Sequence, residues 1–253
     1  AVFKIYKPSS LLNHSQDHVK LLKMSRIVDS QERDTLIAKM SAGIDACLQL
    51  DIVKNLPDFL LPDGKGNVYF YASCDMTVID NRLVNVISFR QNKGIKEPLY
   101  CGELYIDAEN NALVQARLEI NPAYVRQATD MFIERKTRKW KITAQEVVYT
   151  ISYRQWNGIN HIRGDLYFKV KLKRQWFSAS SLHTWFEMVT CKVDVDNVTR
   201  FQRKERMPTR TIFSDTHFKY DADFWGEFNV IPWEEELGTV IEKLSPKIEQ
   251  IEY

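Results

Sequence analysis

Two hydrophobic rhythms divide this chain. Between residues 30 and 55 apolar side chains recur at helical spacing: Leu36, Ile37, Met40, Ile44, Cys47 and Leu48. Ser30 or Asp34 would cap that helix and Pro57 would stop it, and a weaker helical turn is predicted over His18–Met24. After residue 67 the rhythm shortens to a period of two. The runs "VYFYASCDMTV" and "RLVNVISFRQ" flank Asp80-Asn81, which predicts a hairpin with a two-residue turn. Within "LYIDAENNALVQARLEI", Ala112, Val114, Ala116, Leu118 and Ile120 share one face, opposite Gln115, Arg117 and Glu119. The polar knot of Asp107, Glu109, Asn110 and Asn111 is therefore expected to be a turn, because Asp and Asn bond their own backbone. Asn121-Pro122 breaks the strand, and Val125, Ala128 and Phe132 predict a short helix. Strands return in "VVYTISYRQW" and in the run from Ile159 to Lys173, with Asn157-Gly158 between them as a hairpin signal. "SLHTWFEMVTCKVDV" supplies another long strand.

Consecutive hairpins build an antiparallel sheet, and helices outside the strand block pack on one of its faces. The predicted class is α+β: a large curved antiparallel sheet, half-barrel-like, packed against helices at 30–55 and 234–244. Residues 1–29 read as a lead-in, weakly structured or a short helix, and residues 30–253 as one domain.

The stretch "YDADFWGEFNVIPWEEEL" concentrates Tyr220, Phe224, Trp225, Phe228 and Trp233. So many aromatics must lie on something, since each buries roughly 150–250 Å² when packed. Pro232 suits a first helical turn, and Glu234, Glu235 and Glu236 match the positive end of the helix dipole. This segment is expected to close one end of the sheet as a structural plug, with a lid over a ligand as the second reading.

A chain of 253 residues buries enough surface to fold without staples. A net charge of +2 provides no global field to steer nucleic acid. Cys47, Cys74, Cys101 and Cys191 form no CxxC pair and are expected as four unbridged thiols. No apolar run approaches the roughly 20 residues that span a bilayer. The opening "AVFKIYKPSS" has no signal-peptide pattern and reads as a mature or trimmed start, which leaves secretion open.

Catalytic motifs are not found. His14 and His18 stand four apart, but Ser15 occupies the place where the zinc-protease motif needs Glu. "PDGKGN" lacks the glycine spacing of a phosphate loop, and "DVDN" has Thr199 where a calcium loop needs Gly. Glu103, Asp165 and Glu187 sit in strand patterns and read as outward, solvated carboxylates. No catalytic, cofactor-binding or metal residue is assigned, no cofactor is expected, and the chain reads as a non-enzyme. Basic residues gather at Arg135–Lys141, at Lys169, Lys171, Lys173 and Arg174, and at Arg200, Arg203, Lys204 and Arg206. They read as a solvated face, or as a stripe for anionic lipid or a protein partner.

Several stretches taken together resemble a known family: "LIAKMSAGIDACLQLDIVKNLPDFL", "RLVNVISFRQ", "EPLYCGELYIDAENNALVQARLEINP", "VVYTISYRQWNG" and "YDADFWGEFNVIPWEEEL". The family is the carboxypeptidase-like regulatory domain-containing envelope proteins of Gram-negative bacteria, and the resemblance covers nearly all of residues 30–244. Its members usually carry a β-sandwich ahead of this region, which this chain does not contain. The resemblance implies export to the periplasm or the periplasmic face of the outer membrane, and no peptidase activity. The "GELYID" hairpin is also similar to the lipoprotein-carrier group, whose curved sheet wraps helices and holds acyl chains. Together these imply a non-enzymatic envelope protein that binds a hydrophobic or lipid-like ligand, or a protein partner, at the curved sheet. The alternative is an interaction module with a filled concavity and no ligand, and an envelope hydrolase is a third class.

Overall fold

The structure, a computed structural model, describes residues 1–8, 17–24, 38–40, 44–61, 68–136, 138–154, 158–174, 179–196 and 198–208. The chain divides into two compact units, one of Ala1–Ser9, Ser15–Thr35 and Cys191–Tyr253, the other of Ser10–His14 and Leu36–Thr190.

In the first unit β1 (Val2–Tyr6) pairs antiparallel with β2 (His18–Lys23), and Met207 bridges to Val19. The helical turn expected at His18–Met24 is thus a strand. Pairing with β1 on one side and the Met207 bridge on the other override the local pattern.

The second unit is built on a seven-stranded antiparallel sheet. Its strands are β4 (Tyr69–Ile79), β5 (Arg82–Gln91), β6 (Tyr100–Asp107), β7 (Leu113–Ile120), β9 (Trp140–Arg154), β10 (Gly158–Leu172) and β11 (Ser180–Val189). They lie in the order β11-β10-β9-β7-β6-β5-β4, an open sheet. A separate short pair joins β3 (Ala38–Met40) to β8 (Ile133–Lys136).

The turns explain the order. Asp80 and Asn81 both take positive φ, 48° and 59°, the geometry of a type I′ turn whose twist suits a hairpin. Gly158 at φ 79° opens β10 opposite Arg154. The knot at 107–111 is a turn, as its composition requires. Asp107 is buried, and its Oδ1 accepts the amides of Glu109 at 2.9 Å and Asn110 at 3.3 Å. Asn111 is left-handed at φ 57°, and Asn110 Oδ1 accepts the Ala112 amide.

One face of the sheet carries the core. A row of partners runs Ile87, Leu104, Ala116, Ile151, Ile162 across five strands. A second row runs Phe89, Gly102, Leu118, Tyr149, Gly164, Phe186. Gly164 in that row makes room for the neighbouring aromatic rings. A Cβ on Gly164 would come within 2.6 Å of Phe186 Cζ and 2.9 Å of Tyr149 Cδ1.

The segment before β4 completes this core. The helix predicted at 30–55 is, among the described residues, only α1 (Ile44–Gln49), because Ala38–Met40 is taken up as a strand against β8. Cys47, Leu50, Ile52 and Phe59 belong to the same buried cluster as the strands. Asn55 Nδ2 donates to the Leu48 carbonyl at 2.7 Å, satisfying an acceptor at the helix end. Ile52 N–H donates to the Tyr153 hydroxyl at 3.1 Å, and Phe59 stacks on Phe89 with centroids 4.3 Å apart. The predicted short helix is a 3₁₀ turn at Val125–Met131, and Val125, Ala128 and Phe132 enter the core as their spacing indicated. Thr129 Oγ1 accepts the Ala144 amide at 2.9 Å, where β9 and β10 shift register. The C-terminal helix expected at 234–244 lies outside the described residues.

None of the four cysteines is in a disulfide; Cys47 is buried, and Cys74 and Cys191 are exposed. Burial pushes the Cys47 thiol up to about 12. The thiolate is the reactive form. Native alkylation at pH 8 followed by mass spectrometry is therefore expected to modify Cys74 and Cys191 first and Cys47 last. Early labelling of Cys47 would contradict this packing.

Candidate functional site

The face of the sheet opposite the core carries the chemistry. Here the alternate residues of the long strands form a row of their own: Glu187, Arg163, Thr150, Arg117, Glu103 and Ser88, partner to partner from β11 to β5. Opposite charges directly across neighbouring strands stabilise a sheet, and in this row Arg163 lies across from Glu187 and Arg117 across from Glu103.

The densest part lies on β10 and β11. His161 Nε2 is 2.6 Å from Glu187 Oε1, and the Glu187 side chain is only 16% exposed. Arg163 Nε donates to Asp165 Oδ2 at 2.8 Å, and Nη2 donates to Oδ1 at 3.2 Å. His183 Nε2 lies 3.0 Å from the same Oδ1. Tyr167 stacks on His183 with centroids 4.3 Å apart, and the Arg163 guanidinium sits 5.3 Å from the centre of the Trp185 ring. Each histidine thus has a carboxylate to orient it, and each carboxylate a donor.

The electrostatics follow. Burial alone would raise the Asp165 carboxyl, but hydrogen bonds from Arg163 and His183, together with their charges, hold it below its ordinary value. The group stays ionised, so it contributes stability above its ordinary carboxylate range, and that contribution is lost as pH falls through the lowered value. Further along, the Tyr105 hydroxyl donates to Glu103 Oε2 at 2.7 Å; burial and that carboxylate push it up to about 12. Arg117 Nη1 is 3.7 Å from Glu119 Oε2.

Such an arrangement is fit for recognition. It presents paired charges and two aromatic rings, Tyr167 and Trp185, on one face of the sheet. Among the described residues no group of three or more His, Cys, Asp or Glu is arranged to hold a metal ion.

Glu103, Asp165 and Glu187 do point to the face opposite the core, but they are paired rather than merely solvated. His161, Arg163, Tyr167, His183 and Trp185 had no place in any sequence motif. Their signal was the polar half of the alternation in "HIRGDLYFK" and "SLHTWFE", and only the β10–β11 register brings the two halves together. The basic residues Lys169 and Lys171 lie on this same face of β10, whereas Arg203 and Lys204 belong to a 3₁₀ turn in the first unit, where Lys20 Nζ meets Glu205 at 2.7 Å. His18 is buried on β2 and stacks on Tyr6, while His14 lies outside the described residues. "DVDN" falls beyond β11, which ends at Val189, and the exposed Asp194 accepts the Asp196 amide at 3.2 Å. "PDGKGN" and the five aromatics Tyr220, Phe224, Trp225, Phe228 and Trp233 lie outside the described residues.

The chain matches no protein-family model, no curated protein and no solved structure.

Proposed function

We propose that this chain is a non-enzymatic interaction module of the bacterial cell envelope, which engages a protein partner on the polar face of its seven-stranded sheet. The observation that carries this reading is the filled core face. Cys47, Leu50, Ile52, Phe59, Val125, Ala128 and Phe132 pack with the strand residues in one continuous cluster. With the apolar face occupied by its own side chains over β7, β9 and β10, the β10–β11 part of the other face is left for recognition, whereas Val84 and Val86 on that other face of β5 are buried. That face offers a half-exposed tryptophan beside an arginine, a pairing common where interfaces concentrate their binding energy. An acyl chain held against the sheet is the second reading, supported by the likeness of the "GELYID" hairpin to the lipoprotein carriers. The half-barrel curvature and a terminal helix packed on the sheet are part of this proposal, as are the envelope location and the family resemblance that supports it.

The test uses a photo-crosslinking amino acid placed at Trp185 or, as a control, at Lys93 in an exposed turn. In bacterial envelopes the probe at 185 is expected to join the chain to a protein, and the probe at 93 is not. Native mass spectrometry of the chain purified without detergent is expected to give the mass of the polypeptide, or a multiple of it, with no added acyl chain. A co-purifying acyl chain, or no adduct at 185, would overturn the proposal.

A further inference from the structure

The two edges of the sheet are guarded very differently. β11, at one edge, carries His183 and Glu187. β4, at the other, reads YFYASCDMTVI, with a single charge and neither Lys nor Pro. Charges, prolines and short length are the devices that keep an edge from pairing with another chain. Among the described residues β4 pairs only with β5, and most of its side chains are exposed. A bulge between Ser73 and Asp75 breaks the edge in two. Beyond it Met76, Val78 and the Val78 partner Leu83 lie on one face, at 49%, 63% and 48% exposed.

We propose that the Asp75–Ile79 half of β4 pairs antiparallel with the same half of a second copy, about a two-fold axis at Thr77. The segment is complementary to itself in this register. Met76 faces Val78 of the second copy, Thr77 faces Thr77, and Asp75 faces Ile79. No like charges meet, although Asp75 is the only charge on the strand. Threonine pairs across strands are favourable, and the apolar pairs continue on each side into Leu83. A register centred on Cys74 fails, because the bulge puts Phe70 and Val78 on opposite faces, and a two-fold normal to the sheet must match like faces. The Met76 N–H now donates to its neighbour Asp75 Oδ1 at 2.8 Å, a local partner that strand pairing can replace. The contact is small, so the dimer is concentration-dependent. This surface is the edge away from β10 and β11, so it adds to the partner-binding face and does not rest on it.

The test begins with the full chain in sedimentation velocity over a wide range of concentration. A monomer–dimer equilibrium is expected, and Val78→Lys is expected to shift it to monomer with an unchanged circular dichroism spectrum. The second variant is Thr77→Cys in a Cys74→Ser background. Facing residues in a non-hydrogen-bonded antiparallel pair have Cα atoms about 4.5 Å apart, within disulfide reach. Mild oxidation is therefore expected to give a disulfide-linked dimer as the major species. A chain that stays monomeric at every concentration would overturn the proposal. So would a dimer that survives Val78→Lys while Thr77→Cys remains uncrosslinked.

Discussion

Phe59→Ala is expected to lower the stability of the chain by about 3–5 kcal/mol. Phe59 is 2% exposed, stacks on Phe89, and meets Tyr69 and Tyr100 edge to face. The ring is the point at which the segment before β4 grips the sheet. Its loss leaves a void lined by aromatic rings, and rigid rings close a void poorly. The loss reads out as a lower urea midpoint by circular dichroism. A change below about 1 kcal/mol would show that the cluster does not hold this segment.

Gly102→Ala is expected to be nearly as damaging, by about 3 kcal/mol. Gly102 adopts φ 152°, and a Cβ there would overlap the Arg117 carbonyl oxygen and crowd Leu118 Cα. Those neighbours are backbone of β7, so relief requires β6 and β7 to move apart in the middle of the sheet. Gly94→Ala is the control. Nothing lies within 4 Å of a Cβ at that position, and its expected effect is within about 0.5 kcal/mol. Thermal melts of the two variants side by side decide the matter, and equal melting points would refute the overlap.

β7 and β10 were legible because their outer and inner residues alternate cleanly, and the hairpins because Asp80-Asn81 and the Asp107 knot have the chemistry of particular turns. The helix at 30–55 was misread over Ala38–Met40. A three-residue strand has too few side chains to impose a period of its own, and its identity depends on β8, nearly a hundred residues on. β2 was misread for the same reason, since its partners β1 and Met207 are distant in the chain. The polar face was visible residue by residue and invisible as a site. Asp165 and His183 are 18 positions apart, His161 and Glu187 are 26 apart, and nothing in either strand alone fixes the register that joins them.

The order of strands in the sheet bears on how the chain reaches this fold. From β4 to β7, and again from β9 to β11, each strand lies beside the one that precedes it. Such pairs close through short loops, and short closures cost little entropy and occur early. One joint is different. β7 meets β9 across the excursion that forms the 3₁₀ turn and β8, with Gln115–Glu119 facing Val148–Ser152. That closure carries the largest loop entropy in the sheet, so the two hairpin stacks can zip up independently while the seam between them sets the pace of folding.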